Sequence, residues 1–145
     1  IGACRPIGNR LQRIQTLLFT NYNQRYRQMV MNHVEQREIV EVPYVMPNGC
    51  ILPHPALVIS KNELQEAENG MFYAVLISTK NYHPEYTVKI EDEWLNKPLG
   101  KQSYFVTHII NLFNVNDVMR RNNAFVKKIY FDRLIDIIIT NVIGR

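Results

Sequence analysis

The chain has 145 residues and a mass of 17.1 kDa, and its 46% hydrophobic content is enough for one ordinary core. No stretch approaches 18 consecutive apolar residues and no signal-like apolar run closed by small residues is seen, so a cytoplasmic protein without a membrane span is expected. The net charge of +4 is unevenly placed: residues 1–30 hold five arginines and no acid, leaving 12 basic and 13 acidic side chains in the rest, a balance of −1.

Residues 1–34 therefore separate in composition from residues 35–145. The first segment is expected to be a basic arm, either disordered and foreign to the native chain, with Met29 or Met31 as native start, or an arm that approaches nucleic acid electrostatically. The second is expected to be one domain. Cys4 and Cys50 have no metal or redox spacing and argue for neither a disulfide nor a zinc site.

From Glu38 the pattern becomes short β-type runs between turn signals. EIVEVPYVM, 38–46, alternates Ile39, Glu41 and Pro43 against Val40, Val42 and Tyr44, and Pro43 demands an edge or a bulge because it has no N–H to donate. The turn Pro47-Asn48-Gly49 leads to CILPHPALVIS, 50–60, where Ala56–Ser60 reads as a central strand and His54 as a loop residue held between Pro53 and Pro55. KNELQEAENG, 61–70, predicts a short helix capped by Asn62 and stopped at Asn69-Gly70.

MFYAVLIS, 71–78, is the strongest strand signal in the chain. EYTVKI, 85–90, and SYFVTHII, 103–110, add two more strands, and the acidic connection between them carries Trp94, expected to close one end of a small barrel. From Ile129 the apolar residues Phe131, Leu134, Ile135, Ile138, Ile139 and Val142 follow helical spacing. The sum is a mainly β domain: a small SH3-like β-barrel of five to seven antiparallel strands with a short inserted helix and a C-terminal helix.

In this order the runs REIVEVPY (37–44), HPALVIS (54–60), YAVLIST (73–79) and SYFVTHIINLF (103–113) resemble the MazF/PemK family of toxins from bacterial type II toxin–antitoxin pairs. The resemblance covers about 110 residues and leaves out the arm. It implies an SH3-like barrel, a homodimer, and a hydrolase of the mRNA interferase kind. Such an endoribonuclease cuts single-stranded RNA without metal or cofactor by 2′-hydroxyl attack, and an antitoxin protein neutralises it.

The same resemblance implies the site. Relatives carry arginine directly before the PALV run, where this chain has His54, and a hydroxyl at the end of the next strand, where it has Ser78 followed by Thr79. His108 and Asn111 stand where relatives have an acidic residue or Gln and a second arginine. Two guanidinium groups are thus replaced and two histidines gained. An imidazole suits proton transfer near neutral pH but lacks the bidentate phosphate fork of arginine. The expected catalytic set is His54, Ser78, Thr79 and His108, with Lys80, Asn81, His83 and Asn111 binding RNA.

Each of these has a plainer reading as a strand-end hydroxyl, a solvent lysine or a partly buried histidine. No metal site is expected, because the acids of Glu91–Glu93 lack a calcium-loop pattern and the glycines are isolated. Two alternatives are kept: a catalytically inactive barrel that binds RNA or an antitoxin peptide, and an SH3-like interaction domain using Tyr82, Tyr86 and Trp94.

Overall fold

Six strands, two short helices and a terminal π-helical segment make up residues 33–144, the part of the chain that the computed structural model describes. The elements are β1 (Glu38–Val45), β2 (Ile51–Val58), α1 (Asn62–Ala67), β3 (Met71–Ser78) and β4 (Thr87–Lys89). A 3-10 turn at Asp92–Trp94 leads to β5 (Tyr104–Asn114), then β6 (Arg120–Phe125) and α2 (Lys128–Ile137), which continues as a π-helix over Ile138–Gly144. The order across the sheet is β4-β5-β3-β2-β1-β6, and all the pairings are antiparallel.

The double-sided apolar pattern of β3 has a direct cause: the sheet is covered on both faces. Val75 and Ile77 join Ile39, Leu57 and Phe105 in one layer, over which α2 lays Phe131 and Leu134 and the π-helix lays Ile138. Phe72, Ala74 and Leu76 point to the opposite layer, with Val40, Val42, Ala56, Val58, Phe113 and Val34. Val34 lies before the expected domain start, yet it is buried and tied to α1. Its N–H donates to Gln65 Oε1 at 2.9 Å and its carbonyl accepts from Gln65 Nε2 at 2.7 Å.

Several local expectations are corrected. Asn62 does not cap α1: Lys61 is the N-cap residue without a side-chain bond, and Asn62 instead accepts from the Gln36 N–H and donates to Glu35. Cys50 is disulfide-bonded, against the reading of its spacing. β6 has no counterpart among the expected strands, and it pairs with β1 from Glu38 to Glu41. Pro43 therefore lies where β1 has already lost that neighbour, as a residue without an N–H requires.

The barrel is also incomplete: the sheet is open, ending at β4 on one side and β6 on the other. The segment after β4 draws the two ends together. Leu95 bridges Val126, the Asn96 N–H donates to the Phe125 carbonyl at 3.1 Å, and the Lys127 N–H donates to the Trp94 carbonyl at 2.8 Å. Trp94 fills the opening, stacked 5.3 Å from the Tyr130 ring at an interplanar angle of 7° and 6.3 Å from Phe105.

Candidate functional site

β2 is longer than the sequence suggested, and this changes the setting of His54. The strand starts at Ile51 and takes in both prolines, so His54 lies inside it, facing Val42 of β1. Pro53 faces Pro43 in register; neither has an N–H, so the two must form a non-hydrogen-bonded pair. On its other side β2 pairs with β3 only over Ala56–Val58. Residues 51–55 consequently have one neighbour, and β2 and β3 part at the level of Pro55.

Residues directly opposed in a sheet share a face, and successive residues alternate between faces. His54 is therefore on the face of Ala56 and Val58, and Ser78 on that of Leu76 and Ala74, which is the same face. Continuing the β2–β3 register two residues past its last pair, Ala56 with Leu76, sets His54 level with Ser78. Ser78 is opposed by Tyr104 of β5, and Tyr104 by Lys89 of β4. One transverse row thus holds Lys89, Tyr104 and Ser78 on three neighbouring strands, and the extended register sets His54 at its end, across the gap that opens between β3 and β2. The next row inward, Val106, Leu76 and Ala56, is buried, so the polar row forms the rim of an apolar layer.

The side chains of the row have few partners. The His54 ring meets the Tyr44 ring edge-on at 5.4 Å, and Ser78 Oγ accepts the Lys80 N–H at 3.1 Å where the chain turns out of β3. Lys89 reaches Glu91 at 3.8 Å with both side chains about half exposed, a contact of little energetic weight. Tyr104 is half-buried and its hydroxyl makes no hydrogen bond among the described residues.

A second group forms beside this row. The β3–β5 register jumps from Leu76–Val106 to Val75–Ile110, leaving residues 107–109 bulged without partners on β3. The bulge is held by the carbonyl of Tyr86, which accepts both the N–H and the hydroxyl of Thr107. His108 thereby stands 5.3 Å from the His83 ring and 5.3 Å from the Tyr86 ring, and all three rings come from exposed or half-exposed positions. In the 79–86 loop, Asn81 accepts a hydrogen bond from the Thr87 hydroxyl, and the Lys80 ammonium lies 5.8 Å from the centre of the Tyr82 ring.

The structure thus brings His54 and Ser78 to one level of one face, with exposed Thr79 immediately after. It brings His83 and His108 together in a separate group. Among the described residues no hydrogen bond, ion pair or ring contact joins His54 to Ser78 or to His108. Asn111 faces Ala74, four residues down β3 from Ser78, which places it roughly 13 Å along the strand. Sequence reasoning missed Tyr104 and did not place Lys89, because only the strand register reveals them. No cluster of three or more metal-ligating side chains occurs among the described residues, and no helix there is long and apolar enough to cross a membrane.

An imidazole, two hydroxyls and an ammonium on one rim are suited to moving a proton and holding an anion. No protein-family model matches the chain, and no curated protein matches its sequence. Solved structures do match its fold. MazF from Deinococcus radiodurans superposes with a TM-score of 0.58 at 11% identity, over 73% of this chain and 93% of that one. A mycobacterial endoribonuclease gives 0.56 at 16% identity, over 76% and 91%. A mycobacterial endoribonuclease solved in complex with its cognate antitoxin gives 0.57 at 12%, over 74% and 93%. The fold is MazF-like.

Proposed function

We propose that the chain is the toxin of a type II toxin–antitoxin pair and cleaves single-stranded RNA without a metal ion. What supports this reading is that His54, two residues beyond the last β2–β3 pair, and Ser78, two residues beyond its partner on β3, share one face of a MazF-like sheet where β2 and β3 part. A ribose 2′-oxygen bonds to the adjacent phosphorus while the bond from phosphorus to the 5′-oxygen breaks. His54 takes the 2′-hydroxyl proton, and the departing 5′-oxygen takes a proton from water. The imidazolium then returns its proton to the hydroxide so formed. The products are a 2′,3′-cyclic phosphate and a 5′-hydroxyl.

Ser78 and Thr79 donate to the non-bridging oxygens as charge builds on them. Lys80, Asn81, His83 and Asn111 hold the strand on either side. His108 sits with His83 and Tyr86, an arrangement better suited to stacking on a neighbouring base than to proton transfer at the same phosphate. A cytoplasmic homodimer neutralised by an antitoxin protein completes the reading, in line with the antitoxin complexes formed by proteins of the same fold. Exposed Tyr73 and Leu112, directly opposed on β3 and β5, are candidates for the contact between copies.

Incubating the purified protein with mixed-sequence single-stranded RNA in EDTA tests the reading. The wild type is expected to cut, and His54→Ala to lower the rate by about 100-fold or more, in the range of a lost general base. A wild type that binds this RNA without cutting it supports the alternative, a MazF-like sheet that retains its partner and has no turnover. The separation of His54 from His108 is what favours that second reading.

A further inference from the structure

The replaced arginines leave the proposed chemistry without a fixed cation at the phosphate. We infer that Lys89 and Tyr104 supply the missing groups: the Lys89 ammonium neutralises the scissile phosphate and the Tyr104 hydroxyl donates to one of its non-bridging oxygens. This deepens the endoribonuclease reading and rests on it.

The placement follows from register alone. Lys89 faces Tyr104 and Tyr104 faces Ser78, so the three side chains rise from the same face in consecutive strands. Opposed Cβ atoms in neighbouring strands are about 5 Å apart, so Lys89 and Ser78 stand roughly 10 Å apart on either side of Tyr104, and the long lysine side chain must reach inward over the tyrosine to meet the same phosphate. Neither group is held strongly elsewhere. The tyrosine hydroxyl has no partner among the described residues, and the lysine has only a 3.8 Å exposed contact to Glu91. Phe105 next to Tyr104 is fully buried and Val106 after it is buried, which pins the backbone of β5 and so the direction in which the tyrosine leaves it.

The acids of the neighbouring segment add a direction. Glu91, Asp92 and Glu93 line a cavity of about 410 Å³ with Ile90 and Gln102, immediately beyond β4. An RNA backbone is repelled there, so it leaves Lys89 toward β5 and β3, across Tyr104 and Ser78, instead of running off the β4 edge.

Two measurements on the full chain decide the matter. In cleavage kinetics, Tyr104→Phe is expected to lower kcat by about 100-fold with KM unchanged, the pattern of a donor used only in the transition state. Lys89→Gln is expected to lower kcat/KM by at least about tenfold, with Lys89→Arg restoring most of it; a merely structural lysine would not show that rescue by charge.

In the second measurement, binding of a 2′-O-methyl RNA that resists cleavage is followed against salt. Lys89→Gln is expected to reduce the slope of log K against log salt by about 0.7, one phosphate contact on a single strand. A wild type that cuts RNA while both variants cut equally well overturns the inference and leaves the endoribonuclease reading standing. A wild type that does not cut, with the Lys89-dependent slope intact, removes the nuclease and keeps the phosphate site. Absence of both cleavage and binding overturns both.

Discussion

At the scale of single residues, the strongest polar commitment lies away from the candidate site. Glu38 is fully buried, and its carboxylate accepts Arg121 Nε at 2.7 Å and Nη2 at 2.9 Å as well as the Glu35 N–H at 2.9 Å. The charge is tolerable only because all of these donors are present. Arg121→Ala is expected to cost about 3 kcal/mol in urea unfolding, since it strands a buried carboxylate, and Arg121→Lys to recover only part because the planar fork is lost. Glu35 next to it has its carboxyl held below the usual 4.5 by a hydrogen bond from His33 and then by one from Asn62. A carboxylate with a lowered folded pKa contributes stability that is full above its unfolded value and fades as pH falls through the folded one. Glu35→Gln is therefore expected to flatten the loss of the urea midpoint below about pH 4.5. An unaltered acid limb would mean that the Glu35 pairings carry no net stability.

At the scale of elements, the aromatic stack decides how the C-terminal helix is held. Phe105 of β5, Trp94 and Tyr130 of α2 form a continuous pile, and the Arg133 guanidinium lies 5.5 Å from the Tyr130 ring centre at its outer end. Trp94→Ala removes the middle of the pile and is expected to cost about 3 to 5 kcal/mol, as large aromatic truncations do, with a fall in near-ultraviolet dichroism while Tyr130→Phe stays near wild type. Trp94 is the single tryptophan of the chain, so its fluorescence reads the same docking. β1 and β3 were legible because alternation and apolar density mark a strand whatever surrounds it. β6 was not: Arg120 to Asn123 are all exposed, and Asn122 and Asn123 bulge out of register with Asn123 at φ 55°, so the run shows neither a period nor an apolar face. The start of β2 was hidden for a related reason, since prolines argue against a strand unless the neighbouring strand has already ended, and where β3 ends its pairing is a tertiary fact. The resemblance singled out His54 and Ser78 by position, whereas Tyr104 was not singled out, and Lys89 stood in the sequence only as one of several lysines until pairing set it beside Tyr104.

At the scale of the whole molecule, the open sheet and the distribution of charge bear on the proposed encounter with RNA. The two free edges are blunt: β4 has three residues, and β6 carries Arg120 and Arg121 and a bulge, which discourages pairing with another strand. Asn96 holds the ends together, accepting the Phe125 N–H at 2.7 Å and donating to the Asn123 carbonyl at 2.8 Å. On the proposed reading, association of RNA with the face of the candidate site draws on very little positive charge. Lys80 and Lys89 are the lysines beside it, the acids of Glu91–Glu93 oppose them, and residues beyond 30 carry 12 basic and 13 acidic side chains. Two phosphate contacts give a slope of log K against log salt of about −1.4 on a single strand, whereas adding the five arginines of residues 1–30 raises it to about −5. A basic arm that approaches nucleic acid therefore predicts a steep slope for the full chain, which falls to the shallow value when Arg5, Arg10, Arg13, Arg25 and Arg27 are all changed to glutamine. Titration of a fluorescent 2′-O-methyl RNA between 50 and 200 mM salt, to roughly the range over which such contacts are screened, reads the difference directly. A slope that is shallow in the unaltered chain means that these arginines do not meet the RNA, and the two lysines at the rim must then hold it alone.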